Sequence, residues 1–253
     1  MAATASGLPG PDLAPYSAAQ ITFAVAAWPM RAAEELRSAL IYRALAQASR
    51  ASGVSEQWVA CFAAVAREEL GHARLCAAVG RALGAERPRY DARPVRARLA
   101  SLREPSSRAT ALLLVEVAMG ETVSMALFRA GRRGAREPLT RAVLHRIVAD
   151  EVRHQRLGWS ALAAQWPELS SAARTALQDE ARRGLGAMER QIAAPALARL
   201  ERGEPFDPAY AALGVLPPEA RVEAFYSAVE TLVVPRLTRL GLAGDAAWAE
   251  RYA

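Results

Sequence analysis

The sequence predicts an all-α protein, a four-helix bundle with one long crossover, followed by further helices at its C-terminal end. Three observations carry that prediction. Alanine, leucine, arginine and glutamate dominate the 253 residues while aromatics are only 6%, a mix that favours helix by intrinsic propensity and leaves little material for a sheet. Hydrophobic residues make up 52% of the chain, enough to build a sizeable core at this length. Proline and glycine signals divide the first two thirds into four long helical stretches joined by a short, a long and a short connection.

Residues 1–17 are rich in Gly, Pro, Ser and Ala with almost no charge and read as a flexible N-terminal arm. The first helical pattern runs from Ala18 to Arg50. Pro29 falls within it and either kinks the helix or opens it, because proline costs an interior hydrogen bond but suits a first turn. Ala51-Ser52-Gly53 ends this helix, and Ser55 is placed to cap a second one reaching Leu83. From Gly84 to Glu104 the helical period is lost among Pro88 and Pro94, with Pro105 just beyond, which predicts a connector. A third helix follows from Ser106 to Ala130, broken by Gly131 and Gly134, and Pro138 opens a fourth that reaches Gln165. Short turns make antiparallel hairpins of helices one and two and of helices three and four, while the connector can run the length of the bundle. After Pro167 come a fifth helix to Arg202, a loop with Pro205 and Pro208, a helix opened by Pro217-Pro218 and a short end around Trp248. No linker sets these apart. The expected organisation is an arm over 1–17, a bundle over 18–166 and a helical extension over 167–253 packed on that bundle.

A net charge of +6 would ordinarily point to nucleic acid or an anionic membrane surface. The chain holds no lysine and no asparagine, so its basicity is all arginine and reads as GC-rich coding bias. The densest stretch, Arg81 to Arg103, sets seven arginines against Glu86 and Asp91 and reads as a solvated connector. Cys61 and Cys76 fall on one helix, separated by more than about 20 Å at ~1.5 Å per residue, and cannot pair. Without a disulfide framework, a reducing, cytoplasmic setting is the expectation. No basic region precedes the short apolar run Ile21 to Trp28, and no uninterrupted apolar stretch approaches the ~20 residues of a membrane span.

Helices two and four contain the same local string. Glu68-Glu69-Leu70-Gly71-His72-Ala73-Arg74-Leu75 recurs as Asp150-Glu151-Val152-Arg153-His154-Gln155-Arg156-Leu157. Both read acidic-Glu-x-x-His-x-Arg-Leu. Residues three apart share a helix face, so each Glu and His can reach one metal and the antiparallel partner can supply the opposite face. A single Glu-x-x-His is weak evidence. Two matched copies on equivalent helices, using two of only three histidines, are strong evidence. Such a site also needs a glutamate from each of helices one and three. On helix one, Glu34 sits between Arg31 and Arg37 in a surface ion-pair pattern, whereas Glu35 shares its face with Trp28, Ala32, Ser38, Ala39 and Tyr42; Glu35 is the candidate ligand. Helix three is apolar from Ala109 to Phe128 except for Glu116 and Glu121 among charged residues, and carboxylates there are costly unless a proton or a cation neutralises them. Both can point inward only with a π-bulge between them. Glu121 is the preferred ligand, with Glu116 in reserve or in a supporting role. Four carboxylates and two imidazoles favour iron or manganese over zinc. Asp150 is placed to accept a hydrogen bond from a ligand histidine's far nitrogen, while His145 falls on another face and reads as a surface or packing residue.

These residues resemble the ferritin-like di-iron carboxylate superfamily over Trp28 to Trp166. Asp150-Glu151-Val152-Arg153-His154 is similar to the Asp-Glu-x-Arg-His string of bacterial multicomponent monooxygenases, and paired motifs of this kind occur in aldehyde-deformylating oxygenases, ribonucleotide reductase small subunits, rubrerythrins and tRNA hydroxylases. The resemblance implies a ferritin-like bundle whose metal ligands are Glu35, Glu69, His72, Glu121, Glu151 and His154. It implies two iron ions, with manganese or a mixed manganese and iron pair as alternatives. Three departures narrow it: there is no Cys-x-x-Cys tail of the rubrerythrin kind, Ile147 stands where arylamine N-oxygenases add a histidine, and a storage ferritin would lack the long stretch after Gln165.

The function so implied is an oxygenase or oxidase that activates O₂ and oxidises a small, apolar organic substrate, with no catalytic residue beyond the metal ligands. Its partners would be O₂, the substrate and an external electron donor, with a dimer as the candidate assembly and neither membrane nor nucleic acid involved. Leu113, Val117, Ala118 and Met125 are the expected apolar lining, and Phe206, Tyr210, Phe225 and Tyr226 the candidates for a roof. An iron- or peroxide-handling protein of the ferroxidase or peroxidase kind is the alternative, and an RNA-modifying hydroxylase using the Arg81 to Arg103 stretch ranks below it.

Overall fold

The computed structural model describes residues 7–86, 89–204 and 206–252; Pro88, Pro205 and the first six residues of the expected arm lie outside them. Helix α1 (Ala18–Ala51) starts with a capping box, Ser17 and Gln20 each accepting the other's backbone amide. It continues through Pro29 rather than starting there. Helix α2 (Glu56–Ala82) returns antiparallel to it; Ser55 stands at its N-cap position, although its hydroxyl makes no capping bond.

The long crossover is not wholly irregular. It contains helix α3 (Arg93–Ser101), with Pro94 in the first turn. A proline that reads as a breaker in the sequence here starts a helix, where its missing amide costs nothing. Helix α4 (Pro105–Gly134) also outruns its expected end at Ala130. Gly131 and Gly134 lie within its last turn, which Arg132 and Arg133 stabilise against the helix dipole. By length and mean hydropathy, 1.7, α4 could cross a membrane, but 72% of that apolar window is buried against its own protein.

Helix α5 (Pro138–Gln165) begins where Glu137 accepts the amides of Leu139 and Thr140. The same carboxylate takes the amide of Asp12 at 3.0 Å, and Leu13 and Tyr16 pack on the core. The described part of the expected loose arm is therefore tied down.

Helices α6 (171–201) and α7 (218–240) come next, each with an internal π-helical turn, at Glu189–Ala193 and Val229–Val233. They pack on α4 and on each other, and α8 (Gly244–Ala249) closes against α6 and α7. Arg251 and Tyr226 both bind the buried carboxylate of Glu189, pinning the chain end to the π turn of α6.

The feature that most affects the site is a π-helical stretch, Leu112–Met119, inside α4. It bulges toward two helices, and each meets it with a glycine. A Cβ at Gly158 of α5 would lie 2.8 Å from Val117 and 2.9 Å from the Ala118 backbone. One at Gly184 of α6 would lie 2.8 Å from Val115. Only hydrogen at these positions lets the wider turn seat itself in the core.

Candidate metal centre

Glu35 on α1, Glu69 and His72 on α2, Glu121 on α4 and Glu151 and His154 on α5 converge at the centre of the four-helix bundle. All six are buried, none more than 5% exposed. His72 Nδ1 faces Glu35 Oε2 and Glu69 Oε2 at 3.5 Å and Glu151 Oε1 at 3.4 Å. His154 Nδ1 lies 2.7 Å from Glu69 Oε1 and 3.7 Å from Glu151 Oε2. Ligating atoms of Glu69, His72, Glu151 and His154 all fall within 4.8 Å of one another.

The arrangement fits a metal better than a hydrogen-bonded cluster. Both Nδ1 atoms, Glu69 Oε1, Glu121 Oε1 and Glu151 Oε2 are buried without a hydrogen-bond partner among the described residues. Native interiors rarely leave such groups orphaned. Here five orphans aim at one space, although His154 Nδ1 and Glu69 Oε1 are near enough to bond were they aligned. Carboxylate and imidazole donors in this proportion suit iron or manganese.

The electrostatics point the same way. Burial pushes the carboxyl groups of Glu35 and Glu121 well above the usual range, and neighbouring carboxylates add to it. For Glu151, burial acts upward but the imidazoles of His154 and His72 outweigh it and bring the carboxyl down to about 2. Glu69 moves in the same direction for the same reasons. Burial lowers the histidines, yet the surrounding carboxylates raise both, His154 to about 11. Without a cation the cluster balances its charge by keeping protons, and a cation would replace them.

Each imidazole is held from the opposite helix. His72 on α2 donates Nε2–H to Asp150 Oδ2 of α5 at 3.2 Å, and His154 on α5 donates Nε2–H to Glu68 Oε2 of α2 at 2.8 Å. A carboxylate only accepts, so the proton sits on Nε2 and Nδ1 can present a lone pair inward. Arg153 ties the two carboxylates together, at 2.8 Å to Asp150 and 3.4 Å to Glu68. The expected supporting role of Asp150 thus has a counterpart in Glu68, whose only sequence signal is the matching acidic position of the repeated string. Tyr42 adds a buried phenol beside His154, ring centroids 6.2 Å apart, whose hydroxyl has no hydrogen-bond partner among the described residues.

The other candidates lie elsewhere. Glu116 turns out of the cluster to Arg37 at 2.6 Å, with Arg98 at 3.9 Å. His145 is exposed and meets Arg132 at 3.2 Å.

A cavity of about 210 Å³ opens onto one side of the cluster, with Glu35, Glu69, Glu121 and Glu151 in its floor. Its walls are not the expected ones. Leu113, Val117, Ala118 and Met125 are packed in the core, while Val115, Val123, Leu127 and Phe128 of α4 and Met188 and Ile192 of α6 line the space. Nor do the expected aromatics roof it: Phe206 and Tyr210 pack on Phe23 of α1, and Phe225 and Tyr226 on each other and Trp248. Polar groups also line it, among them Glu34, Arg37, Gln191 and Arg221.

No family model matches the sequence, and no curated protein matches it. Among solved structures, the chain is similar to a protein from Synechococcus described as having aldehyde deformylating oxidase activity. The two superpose with a TM-score of 0.62 over 92% of this chain and 96% of the other, at 17% identity. The likeness is one of fold, and the fold is the ferritin-like helical bundle.

Proposed function

We propose that the protein is a di-iron oxygenase or oxidase that reduces O₂ at a metal pair held by Glu35, Glu69, His72, Glu121, Glu151 and His154, and oxidises a small organic molecule bound beside it. The observation that carries this reading is the cavity, floored by four of those carboxylates and walled by apolar side chains of α4 and α6. A site that only moved iron would need no such compartment. At about 210 Å³ it falls below the ~300–1,000 Å³ of ordinary small-molecule pockets, which favours a compact substrate. The similar Synechococcus protein, with its aldehyde deformylating oxidase activity, supports oxygen chemistry on this fold and leaves the substrate of this chain open.

Bound in the cluster, the metal pair would supply O₂ binding and the electrons for its reduction. The chain's own groups do the rest. Asp150 and Glu68 fix the imidazoles in the tautomer that can ligate. Val123 and Leu127 of α4 and Ile192 of α6 line the space beside the cluster for an apolar group. Reducing equivalents would come from an external donor.

Reconstitution with ferrous iron under anaerobic conditions, followed by elemental analysis and exposure to O₂, tests the reading. About two metal ions per chain and rapid oxygen consumption are expected. A single zinc, or no metal after reconstitution, would sink it. Oxidation of many iron equivalents per chain into a mineral, or turnover of peroxide alone, would favour the iron- or peroxide-handling alternative.

A further inference from the structure

The lining of the cavity includes a guanidinium that the fold does not use. Arg221 sits in the first turn of α7, half-buried, and lines the cavity. Among the described residues no carboxylate lies within ion-pair distance of it and no acceptor takes its N–H groups; its nearest charges of consequence are Glu34 and the like-charged Arg31. The neighbouring arginines are committed. Arg37 is paired with Glu116 at 2.6 Å, and Arg31 donates to the Gly214 carbonyl at 3.3 Å while lying over the rings of Trp28 and Phe128.

An arginine stays charged, carries five donors in a planar fork and matches a carboxylate with two parallel hydrogen bonds. Removing it partly from water without an acceptor costs stability. Burial indeed pulls this guanidinium below its ordinary value, with Glu34 offsetting the effect only in part. The same cavity is lined by the carboxylates of Glu35, Glu69, Glu121 and Glu151 and by apolar side chains of α4 and α6. Among the described residues that line it, Arg221 is the one guanidinium not engaged with a carboxylate.

We propose that Arg221 anchors a carboxylate on the substrate, so that the substrate is a small amphipathic anion whose apolar end is presented to the metal cluster. The assignment of that ligand as a substrate rests on the oxidase reading of the cluster; the anion site itself does not.

Hexanoate, hexan-1-ol and hexylamine serve as probes of equal chain length, titrated calorimetrically into the ferrous-loaded protein without oxygen and into the metal-free protein. Hexanoate is expected to bind at least about tenfold more tightly than hexan-1-ol, as a charge-assisted hydrogen bond implies, with hexylamine weakest. Arg221→Gln should bring hexanoate down to the level of hexan-1-ol and leave hexan-1-ol unchanged, which also shows that the variant is folded. Arg221→Lys should keep part of the preference. Equal binding of hexanoate and hexan-1-ol, or a hexanoate preference indifferent to Arg221→Gln, would overturn the proposal. So would a preference that disappears when the metal is removed, because the carboxylate would then be a metal ligand. Metal content, measured on the same samples, separates the two readings. An Arg221-dependent preference in a protein that takes up no iron would end the oxidase reading and leave the anion site standing, whereas about two metals per chain with no such preference would do the reverse.

Discussion

A histidine can ligate through Nδ1 only if its other nitrogen keeps the proton, and here that is arranged across the α2–α5 pair, Asp150 holding His72 and Glu68 holding His154. Asp150→Ala and Glu68→Ala should each weaken ferrous binding by about 10- to 100-fold, while His145→Ala, far from the cluster, should not. Equal affinity in all three variants, measured by competition with a chelator, would show that the imidazoles need no such support. The two acids of α4 should differ as well. Glu121 is a buried acid with no ion-pair partner among the described residues, and burial with neighbouring carboxylates outweighs the pull of His154, so Glu121→Ala should cost metal affinity yet raise the melting temperature of the metal-free protein. Glu116 neutralises Arg37 and adjoins Arg98, so Glu116→Ala should lower that temperature and leave metal affinity nearly intact. Thermal melts with and without ferrous iron decide, and metal-dependent stabilisation kept in Glu121→Ala but lost in Glu116→Ala would reverse the assignment. Much of this was legible residue by residue. The apolar neighbours of Glu35 and the arginines flanking Glu34 distinguish the two by helical phase alone. Glu68 was missed although the repeated string sets it opposite Asp150: each of the two bonds crosses between α2 and α5, and only the symmetry of the repeat, not local spacing on α2, points to the second.

Among the elements, α4 shows best where sequence reasoning stops. Its apolarity announces a core helix, and its two acids call for a π-bulge if both are to turn inward. The π stretch exists, at Leu112–Met119, yet it directs only Glu121 to the cluster. A π turn adds a residue and rotates the rest of the helix by roughly 100° relative to a regular α-helix. Faces counted at a regular period from Glu121 therefore fail across the π stretch, which is why Leu113, Val117 and Ala118 were expected at the cavity and Val115 is found there; Met125, past the stretch like Glu121, is packed in the core for no reason of phase. The long helices, their hairpins and the crossover come from period and punctuation. Helix α3 does not, since its proline serves as an initiator. The seat of the π stretch is open to a direct test. Gly158→Ala would place a methyl group 2.8–2.9 Å from Val117 and Ala118 and should destabilise the protein by about 1–3 kcal/mol, the usual range for overpacking. Gly71→Ala, on α2 with nothing within 4 Å of the added atom, should instead stabilise it by roughly 0.5–1 kcal/mol through helix propensity. Denaturant melts in which Gly158→Ala is neutral would mean that α4 and α5 are not so closely apposed.

For the molecule as a whole, the cluster poses a problem of charge that two different states can solve. In the metal-free protein burial favours the protonated carboxyls of Glu35 and Glu121, the surrounding carboxylates favour cationic histidines, and the histidines favour the anionic forms of Glu69 and Glu151, a distribution in which the buried charges cancel. In the loaded protein four carboxylates and two neutral imidazoles would balance two divalent ions. Each solution is neutral, and they differ by protons. Loading should therefore release up to about four protons per metal pair, since ligands must be deprotonated to bind. The pH dependence takes its sign from each group in turn. Glu35, Glu121, His72 and His154 have folded-state pKa values above their unfolded ones, so the stability they lend to the metal-free protein is present at low pH and is lost as pH rises through the raised values. Glu69 and Glu151 are lowered, so theirs is present above the ordinary carboxylate range and is lost as pH falls toward the lowered values, about 2 for Glu151. The metal-free fold is thus favoured at neutral and mildly acid pH, whereas metal affinity climbs with pH because protons compete for the same atoms. The gain in melting temperature on adding ferrous iron should accordingly grow from about pH 5 to about pH 8 and shrink toward acid. Calorimetric titration in buffers of different ionisation enthalpy counts the protons directly. Release of fewer than about one proton per pair, or a metal-induced stabilisation that does not change with pH, would mean that the six side chains are not the groups the cations displace.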